Sequence, residues 1–143
     1  MESATMGRVL TEATIENLQD LWDAKRGMMP PEQVRRINVK DALVDMGATT
    51  LALPTRLIQQ LGLSKCYEKP GCSSKGSGPV SVFDAVHLTI MGRTCSVDVM
   101  EVPDEIPVLI GQIPLEMLDL VVNPRECRLT GNPAHGGEHI LEI

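Results

Sequence analysis

The segment Asp45-Met46-Gly47-Ala48 combines residue types that could hold a reactive carboxylate at the end of a buried strand. An apolar run, Ala42 to Val44, comes directly before Asp45, and Gly47 permits a tight turn before the chain becomes apolar again at Leu51. A carboxylate in such a turn can accept hydrogen bonds from backbone amides and can take part in acid–base chemistry on a substrate. For Asp-x-Gly taken alone, the alternative is an Asp that only satisfies the amides of its own turn.

A second motif is an apolar run ending in glycine, Val108-Leu109-Ile110-Gly111, which is followed by Ile113-Pro114-Leu115-Glu116. Together with the apolar residues that flank Asp45, it resembles the catalytic loop and the second element of retropepsin-like aspartic peptidases. The flanking residues that carry this resemblance are Leu43-Val44, Leu53-Pro54 and Leu61-Gly62-Leu63. The resemblance covers most of the chain from Arg8 to Ile143 and is closest to small cellular, non-viral members.

The resemblance implies an aspartic endopeptidase in which two carboxylates share one proton and activate a water molecule. One carboxylate is the general base, the other protonates the developing tetrahedral species, and the pair titrates as a coupled unit. The implied catalytic residue is Asp45, and no metal or organic cofactor is implied. The implied active-site loop and its support consist of Met46, Gly47, Ala48, Thr49, Ile110 and Gly111.

Because the chain holds a single Asp-x-Gly-Ala element, we expect a homodimer in which two copies of Asp45 meet at a twofold axis. The other candidate aspartates each lack the turn glycine that should follow: Asp84, Asp98, Asp104 and Asp119. The expected partners are therefore a second copy of the chain and a peptide or protein substrate.

Three residues depart from the family's pattern. The position after the catalytic Asp usually carries Thr or Ser, whose hydroxyl hydrogen-bonds across the dimer, and Met46 cannot donate such a bond. Viral members also carry an acid and an Arg where this chain has Thr49 and Gln112, so both partners of that ion pair are absent together. Met46 leaves an alternative function open, a catalytically inactive dimerisation or peptide-binding protein of the same fold.

The polar, glycine-rich stretch from Cys66 to Pro79 is expected to form a surface excursion or a hairpin tip. By the resemblance, a flap that covers the substrate falls here, and glycine permits the turn and the motion of a lid. A flexible surface loop is the alternative. The candidate flap residues are Ser74, Lys75, Gly76, Ser77 and Gly78.

Near the C-terminus, His135-Gly136-Gly137-Glu138-His139 matches the H-x-x-E-H pattern of some zinc peptidases. That motif works on a helix, which Pro133 and the two glycines disfavour, so a metal-dependent hydrolase is only a rival and no metal is expected. We expect instead a turn leading into a terminal strand, Glu138 to Ile143. The resemblance places Ile140 and Leu141 of that strand at the dimer interface.

The elements that must position these residues are many short strands and two short helices, which predicts an all-β barrel or sandwich. The resemblance narrows this to a retropepsin-like closed barrel, with residues 1–6 as a flexible tail and residues 7–143 as a single domain. Leu18 to Trp22 fits either a continued strand or a helical turn. The expected helices run from Pro54 to about Leu61 and from Pro114 to Leu118. The main expected strands are Arg8 to Glu16, Gln33 to Val44, Leu51 to Leu53, Val80 to Ile90, Thr94 to Val102, Val108 to Ile110 and Leu120 to Val122.

The composition disfavours several other classes of function. A net charge of −6, with one Trp, one Tyr and one Phe, argues against a nucleic-acid surface. No apolar run approaches the ~20 residues of a membrane span, and no basic and apolar leader begins the chain, so the cytoplasm is expected. In that reducing compartment the four cysteines are expected to be free thiols, with a Cys66–Cys72 bridge as the oxidised alternative.

Overall fold

A computed structural model describes residues 8–73 and 76–140, with the backbone alone for Ser73. The expected tail, residues 1–6, and also Ser74, Lys75 and Leu141 lie outside the described residues. The described strands are β1 Leu10–Asn17, β2 Arg36–Val44, β3 Leu51–Pro54, β4 Lys65–Ser73, β5 Gly76–Ile90, β6 Arg93–Val102, β7 Leu109–Ile110, β8 Leu120–Asn123 and β9 Arg128–Gly131. The described helices are α1 Leu18–Lys25, α2 Thr55–Leu61 and α3 Gln112–Leu118, with single 3-10 turns at Pro31–Gln33 and Pro133–His135. None of these helices combines the length and the apolar character that a membrane crossing requires.

Seven of the strands form one sheet in the order β1-β2-β7-β3-β6-β5-β4. Because β1 also pairs with β5, six of these strands make a ring, and β4 extends from β5 outside that ring. Strands β8 and β9 form a separate antiparallel pair. The predicted all-β class is therefore confirmed as a predominantly β fold with a partly closed sheet.

Strand β7 is only two residues long, but it lies between β2 and β3 in the sheet. It runs parallel to β2, where Ile110 pairs with Val44, and antiparallel to β3, where Ile110 pairs with Leu51. Because β2 ends just before Asp45 and β7 ends just before Gly111, the two motifs singled out in the sequence lie side by side.

The core inside the sheet is aliphatic, as the scarcity of aromatic residues requires. On β5, the alternate residues Val86, Leu88 and Ile90 are fully buried, which is the period of two expected for a strand with one buried face. The largest fully buried side chains elsewhere include Ile15, Leu51, Leu53, Ile58, Leu61, Ile110 and Leu118. These residues come from both sides of the Asp45 loop, so the core anchors the loop at both ends.

The residues from Leu18 onward form helix α1, which is the helical alternative left open for Leu18 to Trp22, so the described residues hold three helices. The Asn17 side chain caps this helix by accepting a 2.9 Å hydrogen bond from the Asp20 N–H. Asp20 is buried and takes two hydrogen bonds from the Arg35 guanidinium, at 2.8 and 3.0 Å, which lower the pKa of the Asp20 carboxyl. These contacts stabilise a helix directly after β1, so the strand ends at Asn17.

The predicted terminal strand from Glu138 is wrong over the residues described, because Glu138 to Ile140 are not in a strand. Strand β9, which was not predicted, pairs with β8 instead. After β9 a 3-10 turn begins at Pro133, and Gly136 and Gly137 then adopt left-handed backbone angles with φ of 66° and 81°. These turns direct the chain back onto the end of α3.

Candidate active site

Asp45 is half-buried in the turn that follows β2. Its N–H donates to the Ile110 carbonyl at 2.9 Å, and its own carbonyl accepts from the Ala48 N–H at 3.0 Å. Its side-chain Oδ1 accepts from the Gly47 N–H at 2.9 Å, as expected of a turn aspartate. Among the described residues, no hydrogen bond reaches Oδ2, so one carboxylate oxygen remains available for other chemistry.

Gly111 lies where the second motif crosses the Asp45 loop, and the crossing leaves no room for a side chain at this residue. A Cβ atom at this position would lie 2.5 Å from the carbonyl oxygens of both Ala48 and Thr50. Three backbone N–H groups donate to carbonyls of residues 48–50 over N···O distances of 2.9 or 3.0 Å, namely those of Gly111, Gln112 and Ile113. The second motif thus supports the loop through backbone contact.

Gln112 and Thr50 also hold the loop, and the sequence analysis missed both roles. The Gln112 Nε2 donates to the Met46 carbonyl at 2.6 Å, so this side chain makes its own link to the loop. The Thr50 hydroxyl is buried and donates to the Asp98 carbonyl at 3.0 Å, which connects the loop to β6. The signal in the sequence that could have found Thr50 is a hydroxyl residue directly before the apolar run of β3. Thr49 and the Met46 side chain, by contrast, are exposed.

The candidate flap is a long antiparallel hairpin of β4 and β5, whose strands approach each other at Ser73 and Gly76. Gly76, Ser77 and Gly78 are exposed residues of β5, while the candidate tip residues Ser74 and Lys75 lie outside the described part of the chain. Regular strand pairing therefore extends over most of this stretch, which agrees with the hairpin alternative rather than with a surface loop.

Two prolines lie opposite each other in this hairpin, Pro70 on β4 and Pro79 on β5. Proline has no backbone N–H, so neither strand offers a donor at this level. Closer to its base, the hairpin carries a cation–π contact in which the Lys69 Nζ lies 5.1 Å from the centroid of the Tyr67 ring.

Cys66, Cys72 and Cys95 are free thiols. Cys66 and Cys72 both lie on β4, six residues apart, which puts their Cα atoms about 20 Å apart at the rise of an extended strand. A disulfide needs a separation below about 7 Å, so the alternative of a bridge between them is wrong in this fold. Cys95 is buried in the core, and desolvation raises the pKa of its thiol to about 11.

Asp119 organises a second polar cluster, which the sequence analysis did not predict. It follows α3 in the left-handed region, with φ of 55°, and its side chain is buried. The Asp119 carboxylate lies 2.6 Å from His135 Nδ1 and accepts from Asn132 Nδ2 at 3.1 Å and from the Ile140 N–H at 3.2 Å. The hydrogen bond from His135 is the largest cause that lowers the pKa of Asp119 from 3.8 to about 2. We call Asp119, Asn132, His135 and Ile140 the C-terminal corner.

The two histidines of the H-x-x-E-H pattern face different partners. His135 contacts Asp119, whereas the Nε2 of His139 lies 3.1 Å from the carbonyl oxygen of Met117. The first histidine lies in a 3-10 turn rather than in an α-helix. Within residues 8–73 and 76–140, no group of three His, Cys, Asp or Glu side chains is placed to hold a metal ion.

Exposed apolar side chains lie in a strip between the Asp45 loop and the C-terminal corner. The Gln112–Met46 hydrogen bond puts Met46 beside the start of α3, and Ile113 and Met117 are one helical turn apart. Met117 and Ile140 together line a shallow cavity of about 370 Å³ at the C-terminal corner. The apolar strip consists of Met46, Ile113, Met117 and Ile140, whose exposed fractions are 52%, 46%, 45% and 45%.

Replacing Gly111→Ala should destabilise the protein by about 3 kcal/mol, because the new methyl group meets two backbone carbonyls that cannot rotate away. Gly78→Ala is the matched control, since a Cβ there meets nothing within 4 Å, and we expect a change within about 0.5 kcal/mol. Urea unfolding followed by circular dichroism measures both free energies. Equal stability of the two variants would mean that the crossing is looser than described.

Replacing Asp119→Asn should lower stability at neutral pH and lose that effect in acid. Because the folded-state pKa is depressed from 3.8 to about 2, the carboxylate stabilises the fold above about pH 4, and this contribution disappears as the pH falls toward 2. Thermal unfolding from pH 2 to 7 should show wild type and variant converging below pH 4. Glu105→Gln, at an exposed carboxylate without an ion pair among the described residues, should show no such convergence. A gap that stays constant with pH contradicts the prediction.

A scan against protein-family models finds no match to this chain, and a search of curated proteins finds no similar sequence. The functional interpretation therefore depends on the residues and on the geometry of the loop.

Proposed function

We propose that this chain is one half of a homodimeric aspartic endopeptidase of the retropepsin type. The observation that carries the proposal is the Asp45 carboxylate, in which Oδ1 is held by the Gly47 N–H while no described hydrogen bond engages Oδ2. A carboxylate fixed in this way has one oxygen oriented by the backbone and one oxygen that can share a proton with a second carboxylate or take a proton from water.

The proposed chemistry needs two such carboxylates. One Asp45 takes a proton from water as the hydroxyl oxygen adds to the peptide carbonyl carbon, and the protonated Asp45 of the second copy gives its proton to the carbonyl oxygen. The first Asp45 then gives the proton that it took from water to the amide nitrogen as the C–N bond breaks. The described chain has one Asp45 loop, so the site is complete only when a twofold axis brings the second loop opposite the first.

The rigid backbone around the loop supports this assignment. General acid–base catalysis depends on carboxylates held in a narrow range of positions. Here the loop is attached to β7 through Asp45, to α3 through Gln112, and to β6 through Thr50. Three independent attachments hold the turn, whereas a turn with only a surface role needs no such support.

The apolar strip is the surface that we propose for contact with the second copy. It begins at Met46, next to Asp45, so a partner that covers it also brings its own loop close to the first. Apolar side chains that are half exposed in one chain gain free energy when a partner removes them from water. In this arrangement Met46 packs against the partner, in place of the hydroxyl contact that Thr or Ser makes in the family.

The β4–β5 hairpin is the proposed flap over the substrate. It leaves the ring of strands as a two-stranded arm, in which Gly71 faces Gly78 near the tip. Gly71 also lies against Val80, where a Cβ would meet the valine side chain. Glycine at both positions lowers the cost of bending the arm toward a bound peptide.

One observation favours a second candidate function, a dimeric peptide-binding protein without catalysis. Met46 is exposed and offers no donor beneath Asp45, so the carboxylate pair lacks the hydroxyl network of the family. A protein with this second function forms the dimer and carries the flap, but it does not cleave the bound peptide.

The peptidase proposal predicts that Asp45→Asn abolishes cleavage of a peptide library at mildly acidic pH. We expect a loss of about 100- to 10,000-fold, the range for removal of a general acid or base. Asp23→Asn, on α1, is the matched control and should retain wild-type cleavage. Mass spectrometry of the products measures the rates. If wild type and Asp45→Asn cleave equally, the peptidase proposal fails and the peptide-binding function remains.

Assembly gives an independent prediction. Sedimentation should show a species of about 31 kDa, twice the 15.6 kDa of the chain. Met117→Glu, which puts a charge in the apolar strip, should raise the dimer dissociation constant at least about tenfold, whereas Met28→Glu, at a residue 73% exposed and outside the strip, should leave it unchanged. A wild-type monomer at high concentration contradicts the shared active site.

A further inference from the structure

Strand β2 has a free edge along its first half. Over Arg36 to Val39 its only strand partner is β1, because β7 pairs with β2 only at Leu43 and Val44. The Asn17 N–H donates to the Arg35 carbonyl at 2.9 Å, so this carbonyl faces β1. Successive residues of a strand point their backbone groups to opposite sides, so those of Arg36 and Asn38 face away from β1.

No other part of the described chain uses that edge. Across residues 8–73 and 76–140, no backbone hydrogen bond outside the sheet ladders involves Arg36 or Asn38. The register of β2 shifts opposite Thr11 and Ala13, which lets the following residues turn toward β7, where the Leu43 N–H donates to the Val108 carbonyl at 2.8 Å. Strand β7 therefore covers this edge of β2 only at Leu43 and Val44, and the same edge is unoccupied by the described residues beside Arg36 to Val39.

The unoccupied edge of β2 opens onto a groove of about 760 Å³ between β2 and α2. Its apolar floor consists of buried or half-buried side chains, namely Ile37, Val39, Leu57 and Val108. Exposed polar side chains form its rim, and three of them are cations: Arg36, Lys40 and Arg56. Asp41 is the only acidic side chain that lines the groove, whereas the whole chain has a net charge of −6.

The cations of the rim are accessible to a ligand. Arg36 contacts Glu16 at 3.0 Å, and the Arg56 guanidinium donates to the Asp104 carbonyl at 3.1 Å and lies 3.9 Å from its carboxylate. The Arg36 and Arg56 side chains are nevertheless 42% and 59% exposed, and ion pairs at such exposed side chains are weak. No ion pair of the described residues engages Lys40. A carboxylate that enters the groove can therefore pair with Lys40 directly and compete for the two arginines.

We propose that this groove binds an extended, acidic segment of a partner protein, which adds to the sheet as a strand along the free edge of β2. Main-chain hydrogen bonds to Arg36 and Asn38 supply the affinity common to strand addition, the floor takes every second side chain, and the rim selects for acidic residues. The groove does not include Asp45, so the proposal is independent of the peptidase function.

The test uses a fluorescein-labelled peptide of alternating glutamate and valine, with a lysine–valine peptide as the charge control. The protein is the full chain carrying Asp45→Asn, so that cleavage cannot remove the probe. Fluorescence polarisation should show binding of the acidic peptide at least tenfold tighter than of the basic one. Lys40→Glu should weaken acidic-peptide binding at least about threefold.

The decisive variant is Asn38→Pro, which removes one N–H from the free edge and leaves the hydrogen bonds to β1 in place. Its matched control is Asn38→Ala, because both variants lose the 2.9 Å hydrogen bond between Thr14 Oγ1 and Asn38 Oδ1. We expect Asn38→Pro to weaken acidic-peptide binding at least tenfold and Asn38→Ala to keep it within twofold. If the two variants bind alike, or if the Asp45→Asn chain with Asn38 intact does not prefer the acidic peptide, the proposal is overturned.

Hydrogen exchange of the Asp45→Asn chain keeps the test decisive if Asn38→Pro does not fold. Binding of the acidic peptide should slow exchange of the Arg36 and Asn38 amides at least tenfold, because those amides become donors to the added strand. Unchanged exchange at both residues in the presence of saturating peptide also overturns the proposal.

Discussion

The candidate site depends on one close approach between backbones, that of Gly111 against the carbonyls of Ala48 and Thr50. A hydrogen atom at the α-carbon is the only substituent that fits there, so the identity of a single residue decides whether two distant chain segments can meet. Once they meet, the amides of the second motif satisfy the carbonyls of the first, and the Asp45 N–H is satisfied by Ile110. The position of the carboxylate is thus a consequence of backbone packing, and the side chains of the loop are left to determine its chemistry.

This constraint explains how much the sequence could predict. The two motifs at Asp45 and Gly111 were recognisable because an apolar run before a polar turn and an apolar run ending in glycine are both local patterns. The alternation of Val86, Leu88 and Ile90 likewise predicted β5, since a strand with one buried face shows its period directly. The extension of β5 back to Gly76 was missed, because the residues added are small, polar and exposed.

The features that sequence reasoning missed or left open depend on contacts between distant residues. Helix α1 was left open as one of two alternatives, because it is stabilised by Asp20, whose partner Arg35 lies beyond the following loop. Strand β9 has one buried apolar residue, Leu129, which gives too weak a period to predict a strand. The C-terminal corner assembles around Asp119 from residues of three different segments. Its hydrogen bonds depend on the turn of the chain at Gly136 and Gly137, so no local pattern predicts them. The free edge of β2 likewise follows from the shortness of β7, which is a property of the whole sheet.

The opposed prolines of the β4–β5 hairpin have a consequence for how molecules of this protein meet. A long, exposed two-stranded arm is in general a template for stacking with the arm of another molecule, and that association can continue without limit. Pro70 and Pro79 interrupt the row of amide donors on both strands at the same level, so an intruding strand finds no continuous edge to copy. The two prolines therefore disfavour association in which the hairpins of many molecules pair one after another. Contacts between compact faces, which close after a fixed number of copies, are favoured instead.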